Sequence, residues 1–219
     1  MELNNSPERK NSNEKIETLK KYTYDKNLSE LILVMQGHKK ATEFLIGDVY
    51  PEIKNDEWDM AIQETERILF ELGLKFSKKD LVKEYKDEEG SVEYKKLKEY
   101  IIATDEKYIR EFNNVPEFTN RPEHERNQSD FDLGYLYGFP DSAIKAFGEG
   151  ENAMISLEFK ELPEDIRNEE YMAFASFRLS KTHWQEELEL VKKWAEDIKQ
   201  IDPALYTREV LTYKNHLNI

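Results

Sequence analysis

The sequence predicts an α+β protein that is mostly helical and carries a small sheet of about three to four short strands. Two observations lead to this fold class. Long stretches repeat apolar residues at the spacing of one helix face, which is typical of amphipathic helices packed on a core. A few short, compact runs are instead rich in β-branched and aromatic residues, as strands are. We therefore expect helices to supply most of the core.

Composition divides the chain into a tail and a domain. Residues 1–24 are rich in Asn, Ser, Glu and Lys and have few apolar anchors, which predicts a flexible tail with at most a short helix at residues 14–22. Residues 25–219 have the apolar content of a single globular α+β domain. A domain of this length buries enough surface to fold without a disulfide or a metal ion.

Two main helices are predicted in the first part of the domain. One covers residues 28–46, although Gly37 and the basic group at residues 38–40 interrupt its apolar face. This basic group is either a solvated helix face or a contact for an anion. The second helix covers residues 55–72 and begins with an asparagine that can cap it, and Gly73 then stands where a Schellman stop needs glycine.

The middle of the chain is predicted to supply the first strands. Residues 74–76 and 100–104 are compact and apolar enough to be strands. The charged segments at residues 78–85 and 91–98 are expected to form a mobile insertion that is either helical or a hairpin. Thr104 or Asp105 then caps a short helix, and a loop without periodicity follows it.

The last part of the chain is predicted to contain two strands and a long helix. Residues 154–160 form either the first strand or a helix. Residues 171–179 form a central strand because their near-continuous apolar character suggests burial on both faces. Thr182 is the expected cap of the long helix, with Gln185 completing a capping box. Residues 206–219 either form a short helix or extend without regular structure.

Between two predicted helices the chain makes a Gly-Phe-Pro corner. Gly138 can end the first helix because glycine adopts a positive φ without steric cost, and Pro140 suits the first turn of the second. Asp141 then places a negative charge beside the N-terminal amides. Free amides here, flanked by Tyr135 and Tyr137, would hold an anion or a carbonyl oxygen. A plain helix-turn-helix corner is the alternative interpretation.

The corner resembles the signature of a mostly archaeal domain-of-unknown-function family, in which a Leu-Gly-Tyr-Pro-x-Cys-Cys turn precedes an apolar helix. In this chain the stretch Tyr-Gly-Phe-Pro-Asp-Ser-Ala at residues 137–143 runs into Ile-Lys-Ala-Phe at residues 144–147. Ser142 and Ala143 stand where the family has its cysteines. A second match lies at residues 175–180. The resemblance implies no known activity, and any metal or redox chemistry of those cysteines is absent here.

Charge and composition exclude several classes of function. The chain has 46 acidic and 32 basic residues, a formal charge of −14, which repels nucleic acids and anionic membranes, so neither is an expected partner. The absence of cysteine excludes disulfides and thiolate chemistry. No apolar run approaches the roughly 20 residues of a membrane span, and the first residues do not resemble a signal peptide, which predicts a cytoplasmic location. No phosphate-binding or metal-binding motif is present, so no cofactor and no metal are predicted.

Three functional hypotheses remain open. The first is a non-catalytic cytosolic domain that binds a small ligand or a protein. The second is an enzyme of unknown reaction, with a site where the Gly138–Pro140 corner meets residues 180–183. The third is an acidic mimic of nucleic acid, which requires carboxylates clustered on one face. Seven residues at the corner and at the start of the last long helix are the candidate ligand-binding residues: Tyr135, Tyr137, Asp141, Ser142, Lys145, Lys181 and His183.

Overall fold

The structure is a computed structural model of the 219-residue chain. It describes residues 7–47, 53–54, 56–86, 92–115, 123–149 and 160–217. Over these residues the chain forms nine α-helices, one 3-10 helix and a single three-stranded sheet. The prediction of a mostly helical α+β protein with a small sheet is therefore confirmed.

The chain divides into two compact units, and the single domain predicted for residues 25–219 stays a prediction. The first unit comprises Met1–Gly37 and Ala41–Arg110, and the second comprises His38–Lys40 and Glu111–Ile219. The boundary falls inside a helix, α4 (Glu106–Asn114), and not in a Pro- or Gly-rich linker. A boundary of this kind leaves no shift in composition for the sequence to reveal.

The first unit is built on an antiparallel sheet. Its elements are α1 (Pro7–Leu19), α2 (Asp25–Met35), β1 (Ala41–Ile46), α3 (Trp58–Glu71), β2 (Lys75–Lys86) and β3 (Val92–Ala103). The strand β3 lies between the other two, with Ala103 opposite Ala41 of β1 and opposite Lys75 of β2. The β2–β3 pair confirms the hairpin alternative for the charged segments at residues 78–85 and 91–98.

The predicted helix over residues 28–46 is wrong in its second half. Helix α2 ends at Met35, and Gly37 follows with a φ of +75° and its N–H bonded to the carbonyl of Val34. Residues 41–46 form β1 instead, with Phe44 and Ile46 fully buried. Apolar residues two positions apart satisfy the strand period, and pairing with β3 decides between the two structures.

Helix α1 occupies much of the segment for which the sequence predicts a flexible tail. Its Ile16 and Leu19 are fully buried, and the Lys15 ammonium lies 3.3 Å from a carboxylate oxygen of Glu71 at the end of α3. Two buried side chains about one turn apart are enough to hold a short amphipathic helix on a core. The expected frayed helix at residues 14–22 thus begins earlier and packs in the first unit.

Helix α3 confirms the helix predicted at residues 55–72. Gly73 adopts a φ of +76°, and the N–H of Leu74 bonds to the carbonyl of Leu69 at 3.0 Å, which is the Schellman pattern predicted for this stop. The predicted cap, Asn55, lies outside the described residues. Glu57 occupies the N-cap position and makes no side-chain capping bond.

The second unit is helical over the described residues. It contains α5 (Glu123–Leu136), α6 (Asp141–Glu149), α7 (Glu164–Arg167), a 3-10 helix (Glu170–Phe174), α8 (Trp184–Ile201) and α9 (Pro203–Leu217). Helices α5 and α6 form a hairpin, and α8 packs against α6, α9 and the 3-10 helix. The segment at residues 206–219 belongs largely to α9, which Asp202 caps by accepting the N–H of Leu205 at 2.8 Å.

The strand predicted at residues 171–179 is wrong. Its first part is the 3-10 helix, and an irregular segment follows it up to Ser180. Met172, Phe174 and Phe177 are buried, and the ring of Phe174 stacks on Tyr206 of α9 at 5.1 Å. The run is apolar because it packs between helices and not because it lies inside a sheet. The strand predicted at residues 154–160 lies outside the described residues except for Lys160, which is in a turn.

No helix in the described part of the chain combines the length and the apolar character that crossing a bilayer requires.

Candidate functional site

Helices α5 and α6 meet at the Gly-Phe-Pro corner, which has the predicted geometry. Gly138 adopts a φ of +70°, and the N–H of Phe139 bonds to the carbonyl of Gly134 at 2.9 Å, as in a Schellman motif. A Cβ at Gly138 would also overlap the carbonyl oxygen of His38, which belongs to the same unit. Both the backbone conformation and the close approach of residues 38–40 therefore require glycine here.

Two further glycines bring the two helices into close contact. A Cβ at Gly134 would lie 2.8 Å from the side chain of Ile144, and a Cβ at Gly148 would lie 2.7 Å from the ring of Phe131. The hairpin is thus antiparallel, with the end of α6 beside residues 130–131 of α5. Residues near the start of α6 therefore lie beside the end of α5, and residues near the end of α6 lie beside Phe131.

A cavity of about 350 Å³ lies between α5, α6 and residues 176–178. Leu133, Ala143, Ile144, Phe147 and Phe177 are among the apolar side chains that line it. Asp130 and Arg178 are its charged lining residues. A concave, mainly apolar space with few polar groups is the usual form of a small-molecule site.

The cavity has an aromatic end. Tyr137 stacks on Phe139 with ring centres 5.5 Å apart, and Phe139 contacts Phe177 at 5.2 Å. Phe177 in turn meets the fully buried Trp194 of α8 edge to face at 5.8 Å. Contacts of this kind fix ring positions, so this end is a rigid apolar wall.

Asp130 and Arg178 lie at the end of the cavity opposite to the aromatic end. The guanidinium carbon of Arg178 is 5.5 Å from the centre of the Phe147 ring at the end of α6. Asp130 precedes Phe131, whose ring contacts Gly148 beside Phe147. The register of the hairpin therefore brings Asp130 and Arg178 to the same end of the cavity, away from Tyr137.

Burial raises the pKa of Asp130 above its ordinary value. Compared with the unfolded chain, the folded state therefore favours the protonated carboxyl of Asp130. Its contribution to stability is greatest below the ordinary pKa of about 4, and it is lost as the pH rises through the raised pKa. We expect Asp130→Asn to raise the free energy of unfolding at neutral pH and to leave it unchanged at acidic pH. Urea unfolding at both pH values checks this.

Asp132→Asn is the matched control, because Asp132 is exposed on the same helix. A gain in stability with Asp132→Asn as large as with Asp130→Asn would show that general acidity of the surface, and not burial at the cavity, is responsible.

A buried lysine contacts the rings at the aromatic end of the cavity. Lys39 is only 2% exposed, and its ammonium lies 4.9 Å from the ring centre of Trp194 and 5.1 Å from that of Phe139. It also donates a hydrogen bond to the hydroxyl of Ser176 at 3.2 Å. A desolvated cation over aromatic faces is strongly attracted to them. Of the two interpretations of residues 38–40, a solvated helix face is wrong for Lys39, and an anion contact stays a prediction.

Neighbouring contacts fix this three-residue segment in the second unit. The imidazole of His38 lies 2.5 Å from a carboxylate oxygen of Asp197 on α8, and the N–H of Lys40 bonds to the carbonyl of Leu136 at 2.9 Å. Lys39 is thus held between α5 and α8 by its neighbours on both sides. The sequence gives one indication of this arrangement, namely a basic group directly after Gly37 that interrupts an apolar pattern.

A second polar cluster joins the corner to the start of α8. Glu187 is 2% exposed and accepts the hydroxyl of Ser142 at 2.6 Å and the N–H of Ser180 at 2.7 Å. The hydroxyl of Ser180 accepts the N–H of His183 at 2.8 Å. The two segments that the enzyme hypothesis joins therefore meet through Glu187, which the sequence did not single out because an acid in the first turn of a helix is ordinary.

The seven predicted residues fall in different places. Tyr137 is the one that lines the cavity, and Ser142 is engaged by Glu187. The side chains of the other five are exposed: Tyr135, Asp141, Lys145, Lys181 and His183. His183, and not Thr182, occupies the N-cap position of α8, and its ring lies 2.8 Å from the Thr182 hydroxyl. The predicted capping box is thus wrong, because Glu187 and Ser180 organise this turn instead.

Within the described ranges, no group of three His, Asp or Glu side chains is placed to hold a metal ion. No protein-family model, curated protein or solved structure matches this chain. The likeness of the corner to the domain-of-unknown-function family therefore stays a prediction, and the cavity has to be interpreted from its own chemistry.

Proposed function

We propose that this chain is a non-catalytic binding protein of the cytosol that holds a small, mainly apolar molecule between α5, α6 and residues 176–178. The observation that carries the proposal is the aromatic-walled cavity of about 350 Å³. This volume lies within the range of about 300–1,000 Å³ that is usual for small-molecule sites. The acid excess of the chain supports a partner that is neither nucleic acid nor an anionic membrane.

The walls are held in place before any ligand arrives. Lys39 contacts the rings of Tyr137 and Phe139 and bonds to Ser176, all of which line the cavity. Gly134 allows Ile144 to pack directly on α5. A preorganised site loses little conformational entropy on binding, which favours affinity for a small ligand.

The chemistry near the cavity favours binding over catalysis. Ser176 supplies the serine hydroxyl on the cavity wall, and an enzyme would need a neighbouring base to activate it. Its neighbour is Lys39, which donates a hydrogen bond to it and lies over the Trp194 ring, so the described contacts of Ser176 include no histidine or carboxylate base. The carboxylate of Glu187, the other candidate base, already accepts two hydrogen bonds.

The nucleic-acid mimic is less well supported. Carboxylates that replace phosphates have to remain available on one face. Among the described acids, Glu71, Glu189 and Asp197 each lie within ion-pair distance of a basic side chain of the same unit. Such neighbours reduce the negative potential that a decoy would need.

Filling the cavity tests the proposal. Ala143 is 3% exposed and lines the cavity, so Ala143→Phe places a ring inside it. We expect the unaltered protein to bind the neutral probe indole, with the binding measured by isothermal titration calorimetry. Ala143→Phe is expected to weaken binding by at least about tenfold, the effect of losing roughly 1.4 kcal/mol of contact.

Lys145→Phe is the matched control, because it adds the same ring at an exposed position of α6. Thermal unfolding shows whether each variant is folded, and Ala143→Leu is a smaller replacement if the larger ring does not fit. Equal affinity in the Ala143 variants and the unaltered protein would overturn the proposal. So would the failure of the unaltered protein to bind any neutral, anionic or zwitterionic aromatic probe.

A further inference from the structure

The charged end of the cavity carries one residue of each sign, and they do not pair with each other. Among the described residues, Arg178 contacts the Phe147 ring but has no carboxylate within ion-pair distance, and Asp130 has no basic partner. In a chain with 46 acids and 32 bases, an arginine without an acidic partner is unexpected. Both groups lie where a ligand in the cavity would contact them.

We infer that the ligand is an apolar α-amino acid, with its carboxylate on Arg178, its ammonium on Asp130 and its side chain among the rings of Tyr137, Phe139 and Phe177. This inference rests on the proposed function and specifies its ligand class. A guanidinium binds a carboxylate through two parallel hydrogen bonds, and a carboxylate is the natural partner of an ammonium.

The position of the two charges favours a zwitterion over a singly charged ligand. A simple carboxylic acid bound to Arg178 would bring its negative charge near Asp130, and a simple amine bound to Asp130 would bring its positive charge near Arg178. Like charges in a partly desolvated site repel strongly. In an α-amino acid the ammonium and the carboxylate are attached to one carbon. The ammonium can therefore meet Asp130 while the carboxylate meets Arg178 at the same end of the cavity.

The remainder of the cavity selects an apolar side chain. Its far end is formed mainly by aromatic rings, and the Ser176 hydroxyl is already engaged by Lys39, so a strongly polar side chain there would lose most of its hydrogen bonds to water. The ends of a peptide are also unsuitable, because a peptide separates its ammonium from its carboxylate by at least one further residue. A free amino acid satisfies the charged end and the aromatic end together.

Isothermal titration calorimetry on the full chain tests the inference with four probes. L-phenylalanine carries both charges, 3-phenylpropionate lacks the ammonium, 2-phenylethylamine lacks the carboxylate, and indole is neutral. We expect L-phenylalanine to bind at least about tenfold more tightly than each of the other three, because each of them lacks at least one hydrogen bond to a charged group.

Two variants assign the roles. Arg178→Gln and Asp130→Asn are each expected to weaken the binding of L-phenylalanine by about 10- to 100-fold. Asp130→Asn should at the same time improve binding of 3-phenylpropionate, and Arg178→Gln should improve binding of 2-phenylethylamine. Lys145→Gln removes a positive charge from an exposed site on α6 and should leave all four affinities unchanged. Asp130→Asn is not expected to destabilise the fold, so its loss of affinity would not reflect unfolding.

The outcomes separate this inference from the proposed function. If indole binds as tightly as L-phenylalanine, or if neither variant alters the preference among probes, the zwitterionic ligand is excluded while the apolar site stands. Tightest binding of 3-phenylpropionate or of 2-phenylethylamine also overturns the inference, in favour of a singly charged ligand. If the unaltered protein binds none of the four probes, the inference fails together with the proposed function.

Discussion

Gly138→Ala is expected to destabilise the second unit by about 3 kcal/mol, the combined cost of backbone strain and of a backbone overlap. At a φ of +70° an alanine is strained, and its Cβ would overlap the carbonyl oxygen of His38. Rotating a side chain cannot relieve that overlap because both groups are fixed to the main chain. The chain must instead move residues 38–40 away from the corner.

Gly73→Ala is a closely matched control. Gly73 also ends a helix in a Schellman motif with a φ of +76°, yet no atom lies within 4 Å of the position of its Cβ. Its replacement should cost only the strain of the positive φ, about 1 kcal/mol. Hydrogen exchange combined with urea unfolding would measure each loss in the unit that carries the substitution. Equal losses for the two variants would show that residues 38–40 do not press on the corner.

The same substitution should also affect the ligand. Displacing residues 38–40 moves the Lys39 ammonium away from Phe139 and Ser176, both of which line the cavity. Gly138→Ala is therefore expected to weaken indole binding even under conditions in which the variant remains folded, whereas Gly73→Ala should not. The position of residues 38–40 therefore affects both the stability of the corner and the shape of the cavity.

Local features were predictable from the sequence. The stops at Gly73 and Gly138 could be recognised because a Schellman motif depends on a few consecutive residues and on the tolerance of glycine for positive φ. The same holds for the short helix after β3, where Asp105 accepts the N–H of Lys107 at 2.8 Å. The helix at residues 55–72 was predictable for a related reason, since its apolar stripe extends over several turns.

Features that depend on distant partners were not predictable in this way. Residues 41–46 are a strand because β3 lies beside them, whereas residues 171–179 pack against helices in the part of the chain that the structure describes. The spacing of apolar residues in short runs is compatible with either structure. Tertiary contacts settle the outcome, and a single sequence does not display them.

The site was predictable only at the corner itself. Tyr137 was identified because it belongs to the corner. Lys39 comes from about 100 residues earlier in the chain, and Asp130 and Arg178 carry no local motif. Lys39 is notable for its burial, and Asp130 and Arg178 are notable for their shared position on one cavity. Both properties arise only when the chain has folded.

Glu187→Ala is the second substitution with a large expected effect, about 3 kcal/mol of lost stability, because it leaves buried donors without an acceptor. The carboxylate is buried and accepts the hydroxyl of Ser142 and the N–H of Ser180, so it joins the start of α6 to the turn before α8. The N–H of Ser180 is a backbone donor and cannot rotate toward water when this acceptor is removed. Most of the loss should arise there.

A double-mutant cycle isolates the contact with the corner. Ser142→Ala alone is expected to cost about 1 kcal/mol, and adding it to Glu187→Ala should cost almost nothing more, because the hydrogen bond is already gone. Glu186→Ala is the control, since Glu186 is an exposed acid in the same turn of α8. Two outcomes would show that this carboxylate does not join the two segments. One is a loss of unfolding free energy no larger for Glu187→Ala than for Glu186→Ala, and the other is a double variant whose loss equals the sum of the Ser142→Ala and Glu187→Ala losses. The expected coupling would instead establish that the Glu187 carboxylate holds the corner and the start of α8 together, and with them the start of α6.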